Sequence, residues 1–386
     1  MPPLSRAPRV LVVAGTRPEC LKLASVMHAL RAEPTVVPRL LNSGQHHAMV
    51  ERTFAHLGIA CDLAPGQLVA GSLSHGVGGL RARIRDIARA DAANLLVAQG
   101  DTSTAYATAL AARDLGLPLA HVEAGLRTAH PYRPFPEEMF RRRIAPLAAL
   151  HFAPTATAEQ HLLDEGIAPG DIERTGNTAI DLLRRTLDEP APTLPFLPEA
   201  GALVTLTLHR RENYGRGLDT ACAAVLDLLR AEPDLGLVCP VHPNPSVGAR
   251  IRRHLSGHPR IALVEPLDYR VFIALLGRSR LIVTDSGGIQ EEAPHLGVPV
   301  LVVRENTERP ESVALGCATL VPLQRERIFA EAHRLLQAPR PPRRPFDSSA
   351  PYGDGHSGER IARRIATFLL PQAANEDVGA ALTADA

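Results

Sequence analysis

The sequence predicts an α/β protein made of two Rossmann-like, doubly wound domains, each a parallel sheet with helices on both faces. Three observations carry this reading. Short apolar runs rich in Val, Leu and Ala alternate with helix-like stretches, the pattern of a parallel sheet buried on both faces. The pattern runs through the first half of the chain and then starts again. At 386 residues the chain is too long for one ordinary domain and long enough for two, each with its own core.

In the first half, strands are expected near residues 10–14, 36–41, 94–99, 117–122 and 149–153. In the second they are expected near 202–208, 236–241, 261–264, 280–284 and 298–303, after a Pro-rich stretch at 189–198 that marks a boundary or a long surface loop. Residues 1–176 and 177–358 are thus the two expected domains. A second stretch rich in Pro and Arg, 339–345, precedes a helical run at 359–371, and the tail 372–386 reads as disordered.

Charge narrows the function. Forty-two basic residues against forty-one acidic leave no excess to draw the whole chain to nucleic acid or an anionic membrane, so any anion site is local. No run approaches the ~18 apolar residues of a membrane span, and the Pro-rich start leads straight into a strand; a soluble, cytoplasmic protein is expected. Five scattered cysteines, with no CxxC pair, argue against a disulfide framework and a zinc site. Among 42 cationic residues only Lys22 is lysine, which singles it out for a specific task.

Ligands of such sheets sit beyond the carboxyl ends of the strands. The first strand runs into Gly15-Thr16-Arg17-Pro18-Glu19 and a helix carrying Lys22, so Arg17 and Lys22 lie beside backbone N–H groups suited to an anion. This is neither the GxGxxG fingerprint nor a P-loop. In the second half Asp285-Ser286-Gly287-Gly288 opens a helix. Its glycines allow close approach of a phosphate, Ser286 supplies a hydroxyl, and Glu292, one turn inside, is placed to accept from both hydroxyls of a ribose. Between them stand strand-end carboxylates: Asp101, Glu123, and Glu137 with Glu138. Such a cluster is how enzymes obtain acids and bases near neutral pH. His209 ends another strand among cations, a setting for proton donation or charge clamping, and Arg309 offers a further phosphate partner. The ligand expected is an anionic, phosphate-bearing small molecule held between the two halves.

Taken together, GTRPE, GDTS, HVEAGLRT, PEE, HFAPT, TGNT, HRREN, PVHPNP, TDSGGIQEEAP, TERPE and PYGDG occur in the order that resembles the non-hydrolysing UDP-N-acetylglucosamine 2-epimerases, from Val10 to about Leu370. The resemblance implies the glycosyltransferase-B arrangement with its last helix crossing back to the N-terminal domain, a homodimer, and chemistry without NAD or an essential metal. It implies UDP held by Arg17, Lys22, Ser286, Gly287, Gly288, Glu292 and Arg309 with Phe272 near the uracil, and catalysis by Asp101, Glu123, Glu137 and His209. The implied reaction is reversible inversion at C2 of UDP-N-acetylglucosamine through 2-acetamidoglucal. A hydrolysing relative and a catalytically silent nucleotide-sugar sensor are the alternatives. Ser25, Phe140 and Pro146 depart from the family pattern without removing a matched catalytic residue. His47 stands for the usual arginine near the family's regulatory substrate site, so unchanged activation by substrate is not expected.

Overall fold

Two six-stranded parallel sheets make up the computed structural model, which describes residues 7–66, 73–128, 130, 134–208 and 214–383. The chain divides into two compact units, Met1–Leu182 with Tyr352–Ala386, and Leu183–Pro351. The first holds β1 (Arg9–Ala14), β2 (Val37–Asn42), β3 (Leu95–Gln99), β4 (Leu119–Val122), β5 (Leu150–Ala153) and β6 (Ile172–Arg174). The second holds β7 (Ala202–Thr207), β8 (Leu235–Pro240), β9 (Ile261–Val264), β10 (Leu281–Thr284), β11 (Val300–Val303) and β12 (Ala318–Val321).

Strand order places the crevices. The first sheet runs β2-β1-β3-β4-β5-β6, so the chain reverses direction between β1 and β3. The second runs β12-β11-β10-β7-β8-β9, with its reversal between β7 and β10. At such a switch point adjacent loops leave in opposite directions and open a crevice at the carboxyl edge. The loops concerned are those after Ala14 and Gln99 in one unit and after Thr207 and Thr284 in the other. The Thr207 and Thr284 hydroxyls, 2.7 Å apart, tie the last residues of β7 and β10 together.

The helix Arg17–Ala32 buries Cys20, Leu23, Ala24, Val26, Met27 and Leu30 on the first sheet. The final helix, Ser357–Thr383, covers it with Ile361, Ala362, Ile365, Ala366 and Leu369. Burying each Ile or Leu here contributes roughly 1.5–3 kcal/mol. This returns the end of the chain to the first unit. Asp181 starts that helix, accepting from the backbone N–H groups of Ser357 at 3.0 Å and Gly358 at 2.6 Å. The Asn177 N–H donates to the carbonyl of Tyr352 at 2.7 Å. Residues 177–182 and 352–358, expected in the second domain, therefore belong to the first unit.

The stretch 339–345 has a structural task in the second unit. Arg340 donates to the carbonyls of Gly297 and Gly277, each at 2.8 Å, and Arg280 to those of Leu336 at 2.9 Å and Ala338 at 2.5 Å. Two guanidiniums thus satisfy the carbonyl ends of the helices Tyr269–Arg278, Gly287–Leu296 and Arg325–Gln337, where a cation also meets the negative end of the helix dipole.

Two edge strands differ from expectation. β6 is three residues, Ile-Glu-Arg, and β12 is Ala-Thr-Leu-Val; neither is a continuous run of large apolar residues. Helix is described as far as Thr383, into the segment 372–386 that composition marks as disordered. Among the described residues no helix is long and apolar enough to cross a membrane.

Asp181→Ala removes the acceptor for two N–H groups at the start of the last helix. It is expected to cost about 1 kcal/mol of stability, read as a lower denaturant midpoint with an unchanged slope.

Candidate active site

In the first unit the loops after β1 and β3 pack directly on one another. A Cβ on Gly15 would stand 2.0 Å from Thr104 Oγ1 and 2.5 Å from Ser43 Oγ, so only glycine lets them meet. Thr16-Arg17-Pro18-Glu19 has the spacing of a helix capping box. Glu19 also reaches one residue further back, accepting from the Gly15 N–H at 2.9 Å, and accepts from the Thr102 hydroxyl at 2.7 Å. Burial pushes its carboxyl up to about 7, against the pull of the hydrogen bonds from Thr102, Gly15 and Thr16. Sequence reasoning passed Glu19 over, although the capping-box spacing was its signal.

Glu123 follows β4 in a left-handed backbone conformation, φ 63°, which costs a non-glycine residue of order 1–3 kcal/mol. Its carboxylate is gripped between the Lys22 ammonium and the Gln99 amide. The single lysine thus meets a carboxylate, where the sequence pointed it at a phosphate. The Asp101 carboxylate lies 2.5 Å from the Arg141 guanidinium. Arg141 also pairs at 3.0 Å with Glu138, which is fully buried and accepts from Thr128 N–H at 3.3 Å and Arg142 Nε at 3.0 Å. Glu138 therefore supports the cluster from beneath, and Glu137 stands half-buried at the head of the helix Glu137–Ile144. Arg17 is half-buried at the head of its own helix. Under the loop, His121 Nε2–H donates to the Gly100 carbonyl at 2.8 Å. Burial brings this imidazole down to about 4, so it is neutral.

In the second unit β10 leads through Asp285 and Ser286 into the helix Gly287–Leu296. The Ser286 N–H donates to Thr284 Oγ1 at 3.0 Å, and its hydroxyl makes no capping bond among the described residues. The first N–H groups of a helix that opens on two glycines are suited to an anion. Arg309 lies against Gly287, where a Cβ would come within 2.5 Å of its Cζ. Its Nε reaches Glu291 at 2.6 Å and its Nη1 reaches Glu308 at 2.6 Å. Expected as a phosphate partner, Arg309 is ion-paired to two buried carboxylates and braces the glycine turn. Glu292 accepts from the Tyr269 hydroxyl at 2.7 Å, a partner not foreseen for it. Phe272, three residues along the same helix as Tyr269, is half-buried. His209 lies outside the described residues. His242 Nδ1 accepts from the Asn244 N–H at 3.0 Å, and burial lowers its pKa. Among the described residues no group of three or more His, Cys, Asp or Glu is placed to hold a metal ion.

A family profile described as UDP-N-acetylglucosamine 2-epimerase matches residues 28–366. This chain belongs to the UDP-N-acetylglucosamine 2-epimerase family. UDP-N-acetylglucosamine 2-epimerase of Salmonella typhimurium is 38% identical over 377 residues, covering 94% of this chain and 99% of that protein. The Escherichia coli K12 enzyme of the same name is 38% identical over 372 residues, covering 92% and 98%. The crystal structure of the Neisseria meningitidis epimerase bound to UDP-GlcNAc superposes with a TM-score of 0.88 at 34% identity, covering 93% of this chain and 100% of that one. The two Rossmann-like units of this epimerase-family chain are of glycosyltransferase-B type, and a glycosyltransferase at 14% identity and TM-score 0.58 shares the fold alone.

Lys22→Met leaves the Glu123 carboxylate buried beside an apolar group. It is expected to lower stability by about 3 kcal/mol, and adding Glu123→Gln should recover most of the loss; equal destabilisation in the double variant would show that the pair is not the cause. Glu19 makes a pH-dependent contribution. Its folded pKa, about 7, lies above the ordinary 4.5, so the folded state holds the proton between those values. The stability it contributes is fully present below pH 4.5 and is lost as pH rises through about 7. Glu19→Gln is expected to flatten the fall in unfolding free energy between pH 5 and 8, measured by urea titration at each pH.

Proposed function

We propose that this chain is a non-hydrolysing UDP-N-acetylglucosamine 2-epimerase that interconverts UDP-N-acetylglucosamine and UDP-N-acetylmannosamine. The observation that carries the reading is the pairing of two carboxylates at the ends of neighbouring strands, Glu123 with Lys22 and Asp101 with Arg141, in a chain of this family.

The chemistry calls for such a set. The C2 proton is not next to a carbonyl, so its removal must be coupled to departure of the leaving group. A base takes the proton from C2, its electron pair forms the C1–C2 double bond, and the C1–O bond breaks to release UDP. In the return step a diphosphate oxygen attacks C1 and C2 takes a proton on its other face. Two proton-transfer groups on opposite faces are therefore needed, each contributing roughly 100-fold to 10,000-fold. Asp101 and Glu123, with Glu137 and His209, are proposed for these roles. Ser286, Gly287, Gly288 and Glu292 are proposed to bind UDP together with Arg17 and Phe272. Lys22 serves the nucleotide through the charge it shares with Glu123, and Arg309 through the glycine turn it braces. By family resemblance the enzyme is a cytoplasmic homodimer without NAD or metal.

In D2O, substrate is expected to acquire deuterium at C2 while the nucleotide sugar stays intact, followed by NMR. Accumulation of free N-acetylmannosamine and UDP would assign the hydrolysing reaction, and UDP binding without exchange would leave a sensor. Asp101→Asn and Glu123→Gln are each expected to lower kcat by about 100-fold or more with UDP affinity kept within a few-fold.

A further inference from the structure

The segment Gly100-Asp101-Thr102 is held from behind on both sides of its carboxylate. Glu19 takes the Thr102 hydroxyl at 2.7 Å and the Gly15 N–H at 2.9 Å, so one carboxylate bridges the two loops that flank the crevice of the first sheet. His121 takes the Gly100 carbonyl at 2.8 Å. Thr102 also accepts from the Ala105 N–H at 3.0 Å, capping the helix Ser103–Leu115. Glu19 is 0% exposed and His121 2%, too buried for either to touch a ligand. Any influence they have on chemistry passes through the loop they hold.

We infer that Glu19 is a positioning residue of this enzyme, acting through Thr102 to fix the backbone that carries Asp101, with His121 holding the other side of the same turn. The inference rests on the epimerase reading and on Asp101 as a proton-transfer group. The bland alternative is a local cap, since a glutamate at the third position of a helix commonly returns to the backbone before it. A cap needs only the contacts with Thr16 and Gly15. The Thr102 contact spans 83 residues of sequence and joins a second loop. Keeping a carboxyl buried here is also costly, because burial pushes it up to about 7. A displacement of about 1 Å at a reacting group costs on the order of 100-fold in rate, so the precision of this loop bears directly on turnover.

The test is a cycle of variants read as kcat and KM for UDP-N-acetylglucosamine. Thr102→Val removes the hydroxyl and is expected to lower kcat about tenfold or more with KM and UDP affinity within about twofold. Thr102→Ser, which keeps the hydroxyl, should restore turnover. Glu19→Leu, which removes the acceptor and leaves the Thr102 cap in place, should reproduce the loss; Glu19→Gln, whose carbonyl accepts from Gly15 and whose amide donates to Thr102, should not. In an Asp101→Asn background neither Thr102→Val nor Glu19→Leu should lower kcat further. Full turnover in both Thr102→Val and Glu19→Leu, or the same fold loss with and without Asp101, overturns the positioning role. Undiminished turnover in Asp101→Asn alone would instead remove the assignment of Asp101 on which the inference stands.

Discussion

A carboxylate withdrawn from water must find a cation or a set of hydrogen-bond donors, and the first unit is organised by that requirement. Glu19, Glu138 and the half-buried Glu123 and Asp101 crowd the carboxyl edge of one sheet, and each is met by a cation or by hydrogen-bond donors. Glu123 has Lys22 and Gln99; Asp101 has Arg141; Glu138 has Arg141, Arg142 and a backbone N–H; Glu19 has Gly15 and Thr102. Because Lys22, Arg141 and Thr102 come from elements far in sequence from the carboxylates they meet, satisfying those groups also fixes where the loops stand. The geometry that reaction requires is then a consequence of how the charges are buried.

The second unit solves the same problem differently. Its buried acids Glu291 and Glu308 are ion-paired with Arg304 and Arg309, and this leaves the glycine turn at the head of the helix Gly287–Leu296 braced by a guanidinium. A helix start with two glycines suits an anion best when its backbone is held in place beforehand, since a preorganised set of donors loses little freedom on binding. At the opposite end of the strands Arg280 and Arg340 close three helix ends. Both ends of the second sheet are therefore built with arginine, and the reason differs at each.

Ten of the twelve strands were legible because each is an apolar run between turn signals; β6, Ile-Glu-Arg, has one apolar residue and is a strand because β5 offers it an edge. The positions of Asp101, Glu123 and Ser286 at strand ends followed from that reading. Their partners did not. Nothing within a few residues of Lys22 tells that its ammonium will meet Glu123, 101 positions away, because that pairing depends on the β1-β3-β4 order of the sheet. Arg309 is a parallel case: two acids, one adjacent and one on the preceding helix, become its partners only after the turn folds. Glu19 carried a local signal in Thr16-Arg17-Pro18-Glu19, but its second bond, to Thr102, is tertiary and invisible at that scale.

The central claim is that these carboxylates serve an elimination and a readdition at one glycosidic carbon. The most direct measurement supplies the enzyme with UDP and 2-acetamidoglucal and no nucleotide sugar. The account predicts formation of both UDP-N-acetylglucosamine and UDP-N-acetylmannosamine, with each molecule of glycal consumed matched by one of UDP. Recovery of unchanged glycal and UDP from enzyme that is active on UDP-N-acetylglucosamine would contradict it.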